Sequence, residues 1–171
     1  RAYSWRQAHM KKPEYVFPAV VVQRAFASEK SGVLVTVDVE SGDPAFLTVA
    51  VNEGVGGAVD GQAAEALRVD AETGATTLFA QGATPERTVL ASGGGVVKKP
   101  ASGGDMLLAP GEVKQLVAFA KSVPARFPSL RTASGDPVPA DIEFAFRGGR
   151  LALLQIRPFN ESRRAQRSQY L

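Results

Sequence analysis

The chain has 171 residues, 44% of them hydrophobic, a formal net charge of +3 and no cysteine. One domain with one core is expected, since a domain near this size buries about 70% of its unfolded surface, and disulfides, thiolate metal sites and cysteine nucleophiles are excluded. No apolar run reaches membrane-span length, and basic residues are scattered apart from Arg163, Arg164 and Arg167, so neither a membrane nor a nucleic acid is expected as a partner and the composition fits a cytoplasmic protein.

At the N-terminus, Ala2, Trp5 and His9 stand at helical spacing, which predicts a short helix over 1–12 ended by Pro13. His9 is the only histidine; without a second one, or a Gly-rich Ser/Thr-His context, it reads as a structural residue. Phe17 to Ala27 and Gly32 to Glu40 are β-branched and apolar, so they read as adjacent antiparallel strands. Ser41-Gly42-Asp43-Pro44 is a turn before a strand from Phe46 to Val51. Ala63 to Val69 and Thr76 to Ala80 read as a hairpin around Ala71-Glu72-Thr73-Gly74.

Ala91 to Gly104, ASGGGVVKKPASGG, has the composition of a loop. Its lysines lack the following Ser/Thr and helix start of a Walker phosphate loop, so it is read as a plain connection. Pro110-Gly111-Glu112 then opens a helix whose Val113, Leu116, Val117, Ala120 and Val123 form one apolar stripe, expected to pack on the sheet. The Pro-rich stretch Pro124 to Pro139 leads to the last hairpin, and Glu161 to Leu171 reads as a polar linker.

The last hairpin, DIEFAFRGGRLALLQIRPF from Asp141 to Phe159, is the most informative segment. Two alternating runs flank Gly148-Gly149, and Asp141, Glu143, Gln155 and Arg157 are polar where a buried strand pair would be apolar. A two-residue loop would send Glu143 and Gln155 to opposite faces. A three-residue loop, Arg147-Gly148-Gly149 with a bulged turn, would put all four on one face, and this is the expected geometry. Such a face carries two carboxylates, an amide and a guanidinium. Carboxylate and amide oxygens are hard ligands suited to Mg²⁺, and an arginine fork suits phosphate, so the set fits a metal-bound polyphosphate. The plain alternative is an exposed sheet face with a cross-strand ion pair.

This segment resembles the end of the nucleotide-binding domain in the phosphoenolpyruvate synthase and pyruvate phosphate dikinase family, where an acidic pair precedes a strand ending Gln-x-Arg-Pro. Upstream, AVVVQ (Ala19 to Gln23), SGVLVTVD (Ser31 to Asp38), Ser41-Gly42 and GVGGAVDG (Gly54 to Gly61) are similar to that family's motifs, in the same order. The resemblance implies an α+β, ATP-grasp-like lobe, mainly antiparallel sheet with packed helices, with ATP and Mg²⁺ as cofactors. It implies that Gln23 lies at the hinge where adenine is recognised. Glu143 and Gln155 would hold Mg²⁺ and phosphate oxygens, Arg157 would steady the transferring phosphates, and Asp141 would orient Arg157 or a metal-bound water.

The chain looks like the second lobe only, residues 1–159, with 160–171 leading toward a following domain. It starts at Arg1 without an initiator Met, so the implied partners are a first lobe bearing the phosphate-binding Lys and Arg and a carrier-histidine domain of the same polypeptide. The implied function is the ATP-binding part of a phosphotransferase, a kinase that passes a phosphoryl group to the carrier histidine and then to pyruvate or a related acceptor. One position departs from the pattern: the family's Gly-Leu-Gly-Glu reads Gly54-Val55-Gly56-Gly57 here, leaving Glu53 or Asp60 to replace the lost carboxylate. That departure keeps a second reading open, a degenerate, non-catalytic module with a structural or regulatory role.

Overall fold

A computed structural model describes residues 8–9, 20–56, 63–104, 106–128, 130–131 and 134–159. Six strands form one antiparallel sheet: β1 (Lys30–Val35), β2 (Phe46–Glu53), β3 (Glu65–Asp70), β4 (Thr76–Ala80), β7 (Ala140–Arg147) and β8 (Arg150–Pro158), in the order β4-β3-β2-β1-β7-β8. Between β4 and β7 the chain makes a separate two-stranded hairpin, β5 (Glu86–Leu90) with β6 (Val96–Pro100), and then a helix, α1 (Pro110–Arg126). The fold is α+β and fits an ATP-grasp-like lobe. Among the described residues no helix is long and apolar enough to cross a membrane.

The period of two decides which face is buried. Leu34 on β1, Val49 and Val51 on β2, Leu67 and Val69 on β3, and Ile142, Phe144 and Phe146 on β7 point to one side. The apolar stripe of α1, Val113, Leu116, Val117, Ala120 and Val123, closes that side into a single core. Phe144 and Phe146, two apart on β7, meet edge to face at 5.7 Å between centroids, a favoured aromatic geometry.

Helix α1 starts where the sequence indicates. Pro110 occupies its first turn, where no intrahelical N–H bond is lost, and Glu112 reaches back to accept the Ala109 N–H at 2.8 Å. The same carboxylate accepts from Lys30 Nζ at 2.6 Å, tying the helix to the start of β1. The β3–β4 turn is also as read: Asp70 Oδ1 accepts the Glu72 and Thr73 N–H groups, and Gly74 takes φ 75°.

Several expectations are corrected. Residues 20–28 form no strand, and β1 ends at Val35; its two edges are paired with β2 and β7, so β1 has no edge left for the adjacent strand expected there, of which residues 17–19 lie outside the described residues. The stretch read as a plain loop contains β6, hydrogen-bonded to β5 from Leu90↔Val96 to Glu86↔Pro100. Of the N-terminal helix only Ala8 and His9 are described; both are helical and exposed. Gly57 and Asp60, and the linker over 160–171, lie outside the described residues.

Candidate functional site

The site begins with the geometry of the β7–β8 hairpin. Its turn has two residues, not three: Arg147 pairs with Arg150, and Gly148 and Gly149 take φ 56° and 68°. Two successive positive φ values match the twist of a tight hairpin, and glycine adopts them at no steric cost. From Arg147↔Arg150 to Phe144↔Leu153 the paired numbers sum to an odd value, which by itself would place Glu143 and Gln155 on opposite faces. The register then shifts between Phe144 and Glu143, where Leu154 is the extra residue. This β-bulge restores parity: Glu143 pairs with Gln155 and Asp141 with Arg157. The four polar side chains gather as expected, by a bulge within β8 and not by a longer turn.

Asp141 and Glu143 alternate with the core residues Ile142 and Phe144, so they lie on the face that α1 does not cover. Beside them is a cleft of about 560 Å³ whose lining includes Gln23, Phe26, Ser31, Gly56, Glu143 and Gln155. Leu153 and the bulged Leu154 add apolar surface to it. Three predicted site residues, Gln23, Glu143 and Gln155, therefore meet at one cleft, although Gln23 and Glu143 are far apart in the chain. Asp141 and Arg157 do not line it. They are the next pair along the same face, with Arg157 Nε donating to Asp141 Oδ2 at 2.8 Å and Nη2 in ion-pair contact with the same oxygen at 2.8 Å.

Two features of the cleft lay beyond sequence reasoning. The buried Ser31 hydroxyl donates to the Gly54 carbonyl at 2.8 Å and accepts the Gly56 N–H at 3.1 Å, fastening the 54–56 turn to β1. Ser31 opens the SGVLVTVD motif, but its partners lie 23 and 25 residues away and are adjacent only because β1 pairs with β2. Glu53, one of two candidates to replace the family glutamate, is already engaged. Its carboxylate accepts from the Ser102 N–H at 2.9 Å, the Ser102 hydroxyl at 2.5 Å and Arg87 Nη1 at 3.3 Å.

Among the described residues no three His, Cys, Asp or Glu side chains converge as a metal cage. The donor set at the cleft, one carboxylate and one amide facing each other across β7 and β8, instead suits an ion such as Mg²⁺. Such an ion keeps several waters and takes one or two protein oxygens together with phosphate. The carboxyls held below the usual range belong elsewhere. Asp38 is lowered chiefly by the Glu40 N–H, against its burial, with help from Ser41 and Arg68; Asp70 is lowered chiefly by the Thr73 N–H.

Over residues 1–170 the chain matches the family of the pyruvate phosphate dikinase AMP/ATP-binding domain. No curated protein matches it.

Proposed function

The chain belongs to that AMP/ATP-binding domain family, and from this premise we propose that it forms the ATP-binding lobe of a phosphotransferase which passes a phosphoryl group to a carrier histidine on another domain, then to pyruvate or a related acceptor. The observation that carries the reading is the in-register pairing of Glu143 with Gln155 at the cleft that Gln23 also lines. Gln23 binds the adenine edge, while Phe26, Leu153 and Leu154 offer apolar surface to a flat ring. Glu143 and Gln155 would hold Mg²⁺ at the phosphate end, where the ion would supply charge neutralisation. Asp141 fixes the guanidinium of Arg157 along the same face, where it steadies charge on the transferring phosphates. The lobe contributes positioning and electrostatics, with no covalent step of its own.

The test uses a polypeptide joining this chain to its first lobe and carrier-histidine domain, incubated with Mg²⁺ and ATP labelled in turn at the β and γ positions. Glu143→Ala and Arg157→Ala should each cut labelling of the carrier histidine about a hundredfold, the scale of deleting one preorganised charge-stabilising group. Neither should change stability by more than about 1 kcal/mol, because Glu143 lies on the uncovered face and the Arg157 side chain is 61% exposed in its ion pair. Strong wild-type labelling that neither change reduces refutes the assignment. The chain alone should bind ATP weakly and transfer nothing, since half of the clamp that excludes water is not in it.

A second reading, a module without transfer activity, is favoured by one finding. Gly57 lacks the family carboxylate, and Glu53 is held by Arg87 and Ser102 and does not line the cleft. Absence of labelling in a folded wild-type protein selects this reading.

A further inference from the structure

Glu53 has no part in the chemistry proposed above, yet its carboxylate is the most heavily engaged beside the cleft. It ends β2, and its side chain is only 10% exposed. Arg87 lies on β5 and Ser102 follows β6, so one carboxylate grips both strands of the β5–β6 hairpin at its open end. Charge-assisted hydrogen bonds of this kind are the stronger ones in proteins.

The hairpin in turn holds the cleft wall. Gly54 bridges Thr88 in parallel, and the Thr88 carbonyl accepts the Val55 N–H at 2.8 Å. Gly54 has φ 82°, and a Cβ there would stand 2.1 Å from the Thr88 oxygen, so the two backbones touch with no room for a side chain. Val55 and Gly56, the next two residues, line the cleft. Their other side is fastened by Ser31 Oγ to Gly54 and Gly56 and by the Glu29 carbonyl to the Gly54 N–H. The 54–56 turn thus sits between β1 and the hairpin.

We propose that Glu53 is a positioning residue for the nucleotide cleft: by clamping Arg87 and Ser102 it locks the β5–β6 hairpin so that Thr88 sets the course of Val55 and Gly56. The proposal rests on the reading of this cleft as the ATP site. It also gives the chain a use for Glu53 other than replacing the glutamate absent at position 57.

The test measures two quantities on the ¹⁵N-labelled chain: hydrogen exchange of the Val55 amide, and the shift of the Gln155 resonance at subsaturating Mg·ATP, where the shift is proportional to affinity. Glu53→Ala should speed Val55 exchange about tenfold by releasing a local opening. It should reduce the Gln155 shift about fivefold, the effect of losing one net hydrogen-bonded contact. Glu53→Gln, which keeps an oxygen for the Ser102 N–H, should restore much of both. Glu86→Ala, which breaks the exposed Lys98–Glu86 pair of the same hairpin, should move neither. If Glu53→Ala does not fold, Glu53→Gln and Arg87→Met carry the comparison.

Unchanged Val55 exchange in folded Glu53→Ala and Arg87→Met proteins overturns the clamp. Faster exchange with an unchanged ATP shift overturns the positioning role. A wild-type chain whose Gly56, Glu143 and Gln155 resonances all ignore Mg·ATP overturns the nucleotide reading itself, and the Val55 amide then still decides whether Glu53 holds the wall.

Discussion

Replacing Gly32 by alanine tests how tightly the sheet is built beneath the cleft. Gly32 is central in β1, opposite Val51 on β2 and Phe144 on β7. A Cβ at this position would lie 2.2 Å from the Ala50 carbonyl oxygen and 2.8 Å from Phe144 Cζ. The Phe144 ring is buried against Phe146. The Ala50 backbone is confined more severely, because β2 is paired on both sides, to β1 and to β3. Overpacking a core costs about 1–3 kcal/mol, and a clash with a doubly paired backbone puts Gly32→Ala near the upper figure. A chain of this size loses roughly 2–4 °C in Tm per kcal/mol, so the midpoint should fall by about 6–12 °C. Calorimetry and urea unfolding measure it. The double variant Gly32→Ala/Phe144→Leu separates the two contacts: trimming the ring leaves the carbonyl clash in place and opens a void, so it should be no more stable than Gly32→Ala alone. A Gly32→Ala midpoint within a degree of wild type, or recovery in the double variant, refutes the reasoning.

Two further outcomes concern stability. Asp38 and Asp70 have folded-state pKa values below their unfolded values, so their contribution is fully present above the unfolded carboxylate range and is lost as pH falls through the folded values. Tm should therefore be flat from neutrality down to about pH 5 and drop below about pH 4, with a shallower drop in Asp38→Asn, as thermal melts between pH 7 and 2 would report. Glu112→Ala removes both the return cap on Ala109 and the partner of Lys30, and should cost about 2 kcal/mol by urea unfolding. Glu112→Gln, which keeps the cap acceptor, should cost less, and equal losses would show that only the charge matters.

Much of this lobe is legible from residue order. Alternation marks which side of β3 and β7 is buried, the Asp70 to Gly74 turn is recognisable from its residue types, and the α1 stripe is a plain 3.6-residue pattern. These features depend on local geometry, and their residues carry it. Even the polar set of Asp141, Glu143, Gln155 and Arg157 stands out, because such side chains are anomalous in a buried strand pair.

Tertiary structure decides the rest. Nothing in LALLQ marks Leu154 as a bulge. The core locks Phe144 inward on β7, and β8, an edge strand with Leu153 and Leu154 both exposed, absorbs the extra residue. Strand β6 is exposed throughout and so shows no buried period; it is held by its ladder to β5, and Ser102, just beyond it, is held by Glu53 from β2. Phe17 to Ala27 has the composition of a strand, but its described part, from residue 20, forms none: pairing beside β1 needs a free edge, and both edges of β1 are taken. Glu53 reads as a spare carboxylate until the fold brings Arg87 and Ser102 to it across 34 and 49 positions. Side-chain direction within an element follows from local geometry, whereas the partner a strand or a carboxylate meets depends on which distant segments compete for the same edge, and only the folded chain settles that competition.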